Sequence, residues 1–432
     1  MLIQFTIANY EAIKGKMTLS MVASNYDKSR ETDNTFTIDK FGLRLMKSAV
    51  IYGANASGKT KLLESFGFFK EFVLNSSKES QATENIEVTP FRFNPKTEKQ
   101  PSFFEMSFIY KNELYRYGFE VSKSEVKTEW LFHRPKTKEI RLFYRDGQNF
   151  NELHDSFKVA QNLVKDKMIR ENALLLSVCA QFNDPISKKI LAWLNSMNLI
   201  SGVKEEGYEG FTISQIQEHG KKDEVLNFLR NADLGIENFI IEELDYNNLP
   251  KNMPERLKEV LLSQKDRPKI YSDVITFHNK YDDKRNLKGL SDLSMKRDES
   301  SGTNKYFALA GPIIETLEEG DILIIDELDA KLHPILVQNI VALFNSVDTN
   351  PKNAQLIFNT HDTNLLGSDI FRRDQIWFTE KNKYGEAELY SLSDIKKNES
   401  KVRNDEDFEK NYIQGKYGAI PYIGDFRKLL LK

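Results

Sequence analysis

The chain of 432 residues carries 61 Lys and Arg against 64 Asp and Glu, a net charge of −3, with 40% hydrophobic and 29% charged residues. That balance excludes a chain disordered throughout, and it supplies no global positive field, so any contact with DNA must rest on a local basic patch. The length exceeds one small domain and predicts a main body with a substantial insertion.

Apolar and polar residues roughly alternate over residues 2–8, which predicts a strand ended by Asn9-Tyr10. The start has neither a basic leader nor a long apolar core, and no uninterrupted apolar run in the chain approaches the ~18 residues of a spanning helix, so a cytoplasmic protein without membrane contact is expected. A second strand is expected near residues 16–22. Residues 44–52 lead into Gly53-Ala54-Asn55-Ala56-Ser57-Gly58-Lys59-Thr60, a complete G-x-x-x-x-G-K-T. Its glycines let the backbone fold into a nest of N–H donors, Lys59 brings a point charge to the outer phosphates, and Thr60 offers a hydroxyl to Mg²⁺. The stretch therefore predicts a nucleotide-phosphate cradle. A helix follows, with Leu62, Leu63, Phe66, Phe69 and Val73 at helical spacing.

Residues 103–110 and 114–121 flank Lys111-Asn112-Glu113 as a hairpin, and residues 140–144 extend the same antiparallel lobe. From about 155 to 265 the pattern turns helical. The lone cysteine, Cys179, excludes an intramolecular disulfide, and its apolar surroundings predict a buried thiol. Asp184-Pro185 starts a helix with Ile186, Ile190, Leu191, Leu194 and Met197 on one face. Residues 223–231 carry Val225, Leu226 and Leu229, and Pro254 opens a helix with Leu257, Val260, Leu261 and Leu262. None sustains heptads, so no long coiled-coil arm is expected. Strand and helix then alternate: a buried strand at 321–326, a helix at 334–344, a strand at 355–359, and a closing hairpin of 375–380 and 388–392 around Lys383-Tyr384-Gly385. The expected division is 1–154 with the cradle and the antiparallel β lobe, 155–265 as a helical insertion, and 266–432 as the rest of the main body.

Three further stretches carry chemistry. Ile322-Leu323-Ile324-Ile325-Asp326-Glu327 is an apolar strand ending in two acids. Beside a phosphate loop, Asp326 can hold Mg²⁺ directly or through water, and Glu327 can polarise the water that attacks the γ-phosphate. His361 follows the buried strand at 355–359. At the carboxyl end of a parallel strand, where ligands of open α/β sheets sit, it can hydrogen-bond the γ-phosphate and report its presence. Ser300-Ser301-Gly302-Thr303 opens a helix. Its hydroxyls and N–H groups can cap that helix locally or, supplied by a second subunit, meet the γ-phosphate from the opposite side.

Taken in order, the first strand with Asn9-Tyr10, the loop at 53–60, Ser300 to Thr303, Asp326-Glu327 and His361 resemble an ABC-type ATPase head over nearly the whole chain. Leu19-Ser20-Met21, Asp326-Glu327-Leu328-Asp329 with Leu332-His333-Pro334, and Tyr412-Ile413-Gln414-Gly415-Lys416-Tyr417-Gly418-Ala419-Ile420-Pro421 resemble the RloA and AbiLi type. ATPases of that type sit in prokaryotic defence and abortive-infection loci and are similar to the ATPase of the PARIS system. The resemblance implies an α/β P-loop fold, ATP and Mg²⁺ as cofactors, and phosphate contacts from Gly53, Ala54, Asn55, Ala56, Ser57, Gly58, Lys59 and Thr60. It implies metal ligation by Thr60 and Asp326 and catalysis by Glu327 with Lys59 and the switch histidine His361. Ser300, Ser301 and Gly302 would form the signature, although Ser-Ser-Gly-Thr stands where transporter heads carry Ser-Gly-Gly-Gln. It also implies a head-to-head dimer, with higher assemblies open, that buries two ATP molecules at the shared seam.

The function expected is an ATPase whose pairing controls a nuclease- or toxin-like companion in anti-phage defence. A RecF-like ATPase acting on DNA in repair shares the nucleotide chemistry. Lys221, Lys222, Lys284, Arg285, Arg372 and Arg373 are its candidate phosphate contacts, but no clear basic stripe supports it. A nuclease of the overcoming-lysogenization-defect type needs a second α/β domain, for which the roughly 70 residues after His361 are too few. Transporter heads are commonly shorter and lack the lobe, and a non-hydrolysing scaffold has no use for Glu327.

Overall fold

In the computed structural model the described residues are 1–78, 81–203, 206–243, 249, 253, 255–263, 271–397, 400–403 and 405–421. The chain divides into two compact units. The first holds Met1–Gly202, Thr316–Ala330 and Val337–Lys432, and the second Val203–Glu315 and Lys331–Leu336.

The first unit is built on two sheets. A six-stranded sheet runs Met197–Ser201, Ile322–Asp326, Gln355–Asn359, Ser48–Gly53, Ile376–Lys381, Ala387–Ser391 in spatial order. Its first five strands are parallel and the last is antiparallel. The three central strands have apolar middles, Leu323-Ile324-Ile325, Leu356-Ile357-Phe358 and Ala49-Val50-Ile51, because helices and the second sheet cover them. That second sheet is antiparallel, with seven strands in the order Asn149–Leu153, Ile140–Asp146, Val126–Arg134, Glu113–Val121, Ser102–Tyr110, Leu2–Ala8, Met17–Ser20.

The helix Lys59–Asn75 puts side chains into one core shared with both sheets: Leu62, Leu63, Phe66, Phe69 and Val73 join Ile51, Ile324 and Ile357 from one sheet and Phe5, Phe104 and Phe119 from the other. Phe66 lies 4.1 Å from the Phe5 ring, and Phe69 stacks on Phe119 at 5.3 Å. Aromatic pairs of this kind add about 0.5–1.5 kcal/mol each beyond the area they bury. The phosphate loop is thereby mounted on a helix that cannot shift without disturbing the core.

A buried ion pair fixes the antiparallel sheet to the helix Leu175–Gln181. Glu129 and Arg145 face each other on neighbouring strands, both fully buried. Glu129 accepts the N–H groups of Leu175 and Leu176 at the helix start and the Tyr117 hydroxyl. Burial pushes the Glu129 carboxyl upward, and the guanidinium and the helix N–H groups oppose that shift. Cys179 lies in this helix, fully buried, and burial raises its thiol far above the usual range.

The hairpin at 103–121 forms as the sequence predicts, and it continues into two strands that the sequence reading passes over, Val126–Arg134 and Asn149–Leu153. Helices Lys158–Lys165, Leu175–Gln181 and Pro185–Asn195, read from sequence as part of a separate lobe, fall in the first unit. Met197, expected on the face of the last of these helices, instead starts the edge strand of the parallel sheet.

The second unit contains the helices Glu206–His219, Lys222–Arg230 and Glu255–Ser263 and an antiparallel sheet of Ile236–Glu243, Tyr271–Tyr281 and Leu287–Ser294. Only the first of these strands falls in the stretch read as helical; Ile236–Glu243 interleaves charged residues without a clean apolar face. Pro254 and the expected boundary at 265 lie outside the described residues. The long helix Ser301–Glu319 begins in this unit. Thr212 donates to the Ala308 carbonyl and accepts from the Gly311 N–H, an approach that only a glycine at 311 allows. Among the described residues no helix is long and apolar enough to cross a membrane.

Candidate functional site

Parallel strands bring their carboxyl ends to one edge of a sheet, and ligands of open α/β sheets gather there. In the first unit that edge carries the loop after Ser48–Gly53, the acids ending Ile322–Asp326, and His361 just beyond Gln355–Asn359. One cleft of about 950 Å³ is lined by residues 55–61 of the loop, by Glu327 and by His361. Glu11, Arg92, Phe93 and Lys381 complete its walls.

The loop has the backbone of a phosphate cradle. Gly53, Ala56 and Gly58 all have positive φ, at 157°, 61° and 113°. A β-carbon on Gly53 would stand 2.4 Å from the Thr379 carbonyl, and one on Gly58 would stand 2.8 Å from Ala387 Cβ, so both glycines are required sterically. The Ser57 and Thr379 hydroxyls are 2.6 Å apart, pinning the loop to the adjacent strand. Lys59 is buried, and its ammonium donates to the carbonyls of Gly53 at 2.7 Å and Ala54 at 3.2 Å. Burial lowers its pKa below the ordinary lysine range, against the pull of the Glu327, Asp329 and Asp326 carboxylates. Thr60 follows in the first turn of the helix, half-buried.

Asn359 organises the acids. Its buried amide donates to Asp326 Oδ1 and accepts the Glu327 N–H, both at 2.5 Å. Glu327 itself takes a left-handed conformation, φ 58°, which turns the chain sharply out of the strand. Such a conformation is costly for a residue with a β-carbon and clusters at functional sites. Gly202 backs this turn: its N–H donates to the Asp326 carbonyl at 2.6 Å, and a β-carbon there would stand 2.0 Å from the Glu327 carbonyl oxygen. Gly202→Ala is therefore expected to displace Glu327 and to lower the melting temperature by several degrees, as thermal unfolding would read. His361 is exposed, and its backbone N–H donates to Asp329 Oδ2 at 3.2 Å.

Among the described residues no group of three or more His, Cys, Asp or Glu is placed to hold a metal ion by itself. Asp326, Glu327 and Asp329 all act on Lys59, and two buried carboxylate oxygens, Asp329 Oδ1 and Asp362 Oδ2, have no hydrogen-bond partner. Mg²⁺ prefers few protein ligands and completes its shell with phosphate and water, which matches one hydroxyl, Thr60, and one carboxylate, Asp326.

The predicted loop residues, both acids and the histidine thus lie in one unit at one sheet edge. Ser300, Ser301 and Gly302 belong to the second unit, where Ser300 Oγ accepts the Thr303 N–H at 3.1 Å and caps the helix locally. A β-carbon on Gly302 would meet the Lys331 carbonyl at 2.8 Å. Two of the suggested DNA contacts are corrected. Arg372 is fully buried and paired with Asp374, and Arg373 is paired with Asp27 at 2.9 Å, so neither offers its charge to a phosphate. Sequence reasoning missed Asn359, Gly202 and Thr379, whose roles depend on strand neighbours distant in the chain. The one available signal was polar: Asn359 closes a strand whose middle, Leu356-Ile357-Phe358, is apolar.

The first unit is an α/β fold in which a parallel sheet with a phosphate-loop motif after one strand shares a core with an antiparallel sheet. Similar solved structures include the SMC head domain from Thermotoga maritima, at 9% identity and TM-score 0.41, covering 90% of this chain and 98% of that one. Another is the SmcHead bound to the C-winged helix domain of ScpA, at 12% identity and TM-score 0.39, covering 90% and 97%. No curated protein matches the chain. Residues 48–178 and 199–367, well over half of the sequence and including the cradle, the acid strand and His361, match the family described as "AAA domain, putative AbiEii toxin, Type IV TA system". The chain belongs to that AAA family.

Proposed function

We propose that this chain binds and hydrolyses ATP as an ABC-type head of the RloA and AbiLi kind, and that its nucleotide-driven pairing controls a companion effector in prokaryotic anti-phage defence. The observation that carries the reading is the convergence of the loop at 53–60, Asp326, Glu327 and His361 on one edge of one parallel sheet. The N–H groups of residues 55–60 cradle the phosphates, and Lys59 exchanges its two carbonyl partners for phosphate oxygens. Glu327 takes the proton of the attacking water as its oxygen bonds to the γ-phosphorus and the bond to the ADP oxygen breaks. His361 hydrogen-bonds the γ-phosphate. Thr60 and Asp326 would hold Mg²⁺, which would supply neutralisation of phosphate charge.

Ser300, Ser301 and Gly302 of a second copy cap the γ-phosphate from the far side, so ATP binds the closed pair better than the open one and hydrolysis removes that difference. The toxin–antitoxin wording of the family description supports a companion protein as the recipient of this cycle. Saturating ATP with Mg²⁺ is expected to double the mass of the full chain in light scattering, and ADP is not. A chain that stays monomeric with ATP bound would overturn the pairing.

A further inference from the structure

A second cavity, of about 770 Å³, opens beside the loop, lined by Gly53, Ser57 and His361 and by five residues of the segment 408–421: Tyr412, Ile413, Ala419, Ile420 and Pro421. Tyr412 is buried in the helix Phe408–Ile413. Its ring stacks on Phe378 at 5.3 Å and packs on Tyr52, the residue before Gly53, at 5.7 Å. Its hydroxyl donates to the Ala419 carbonyl at 3.1 Å. Tyr52 in turn donates to the Asp362 carbonyl at 3.1 Å, one residue past His361. The far end of the segment is anchored by Tyr390, whose hydroxyl donates to the Tyr417 carbonyl at 2.8 Å. Between these anchors Gly415, Gly418 and Ala419 all take left-handed backbone, with φ of 73°, 71° and 56°. For Ala419 that conformation is unfavourable and persists only while neighbouring bonds hold it. One side chain thus joins the strand that runs into the phosphate cradle, through Tyr52, to a strained turn.

We infer that Tyr412 is a positioning residue for the phosphate loop and that, through it, bound nucleotide and the order of segment 408–421 are coupled. The inference rests on the nucleotide reading of the site and adds to it a place where nucleotide state becomes legible at the protein surface. Coupling between two sites is reciprocal, so a loop fixed by triphosphate tightens the segment by the same factor by which the ordered segment tightens nucleotide.

Limited trypsin digestion of the full chain, read at the exposed Lys416, tests this. ATP with Mg²⁺ is expected to slow cleavage there about fivefold or more in the wild type. Tyr412→Phe keeps the ring packing and removes the hydroxyl. It is expected to reduce that protection to less than about twofold and to weaken ATP affinity by the factor lost, with the melting temperature unchanged. Equal protection in the two proteins overturns the inference, as does a wild type that binds ATP without protection. A wild type that fails to bind ATP refutes the nucleotide reading instead. Should Tyr412→Phe not fold, Tyr390→Phe, which releases the Tyr417 carbonyl without touching the loop, is expected to weaken ATP binding in the same direction, and unchanged affinity there overturns the coupling.

Discussion

Lys59→Ala is expected to weaken ATP binding by roughly 30- to 1000-fold, about 2–4 kcal/mol, which is the usual loss when one partner of a buried, hydrogen-bonded charge pair is removed. The Lys59 ammonium sits inside the loop on the Gly53 and Ala54 carbonyls, already desolvated. Moving it to phosphate oxygens exchanges neutral acceptors for charged ones, and the desolvation has been met in folding. Alanine also leaves Asp326, Glu327 and Asp329 without their nearby cation, so the field at the phosphates turns repulsive. Isothermal titration with ATP and Mg²⁺ measures the effect. Wild-type affinity in the variant would show that the loop is no phosphate cradle.

Glu327→Gln has the second large effect, a loss of turnover of about 10²–10⁴ with ATP affinity retained or improved. Glutamine preserves the shape of the side chain, and the left-handed backbone and the N–H bond to Asn359 do not depend on the carboxylate. What is lost is the ability to take the proton of the attacking water. On the proposed cycle, in which hydrolysis opens the pair, the variant is expected to accumulate as an ATP-bound dimer, visible in light scattering. Single-turnover hydrolysis at the wild-type rate would remove Glu327 from the role of base.

Much of this site was legible before any coordinates. The G-x-x-x-x-G-K-T run specifies its own backbone, because glycines at 53 and 58 permit conformations no other residue would hold beside Thr379 and Ala387. The apolar strands ending in Asp326-Glu327 and in Asn359 are short, continuous runs whose burial follows from composition. The helix after the loop shows its core face through Phe66 and Phe69. These features are local, and local chemistry survives in one dimension.

Other parts depended on pairings that sequence spacing does not reveal. Residues 197–201 follow directly on a helix and read as its continuation, yet they pair with 322–326 and form the edge of the site's sheet. Gly202 is an ordinary glycine until that pairing sets it against the Glu327 carbonyl. Asn359 becomes the organiser of both acids only because its strand lies beside theirs, and Tyr412 packs on Tyr52 across more than 350 positions of chain.

The sequence by itself therefore determined the reactive groups and the elements that carry them, since each is encoded within a few residues by conformational preference, periodicity and charge. Tertiary structure alone decided their support: which glycine yields space, which amide holds the acids, which ring packs beside the loop. Contacts between distant segments are selected by the packing of the whole core, and no short window of residues contains that information.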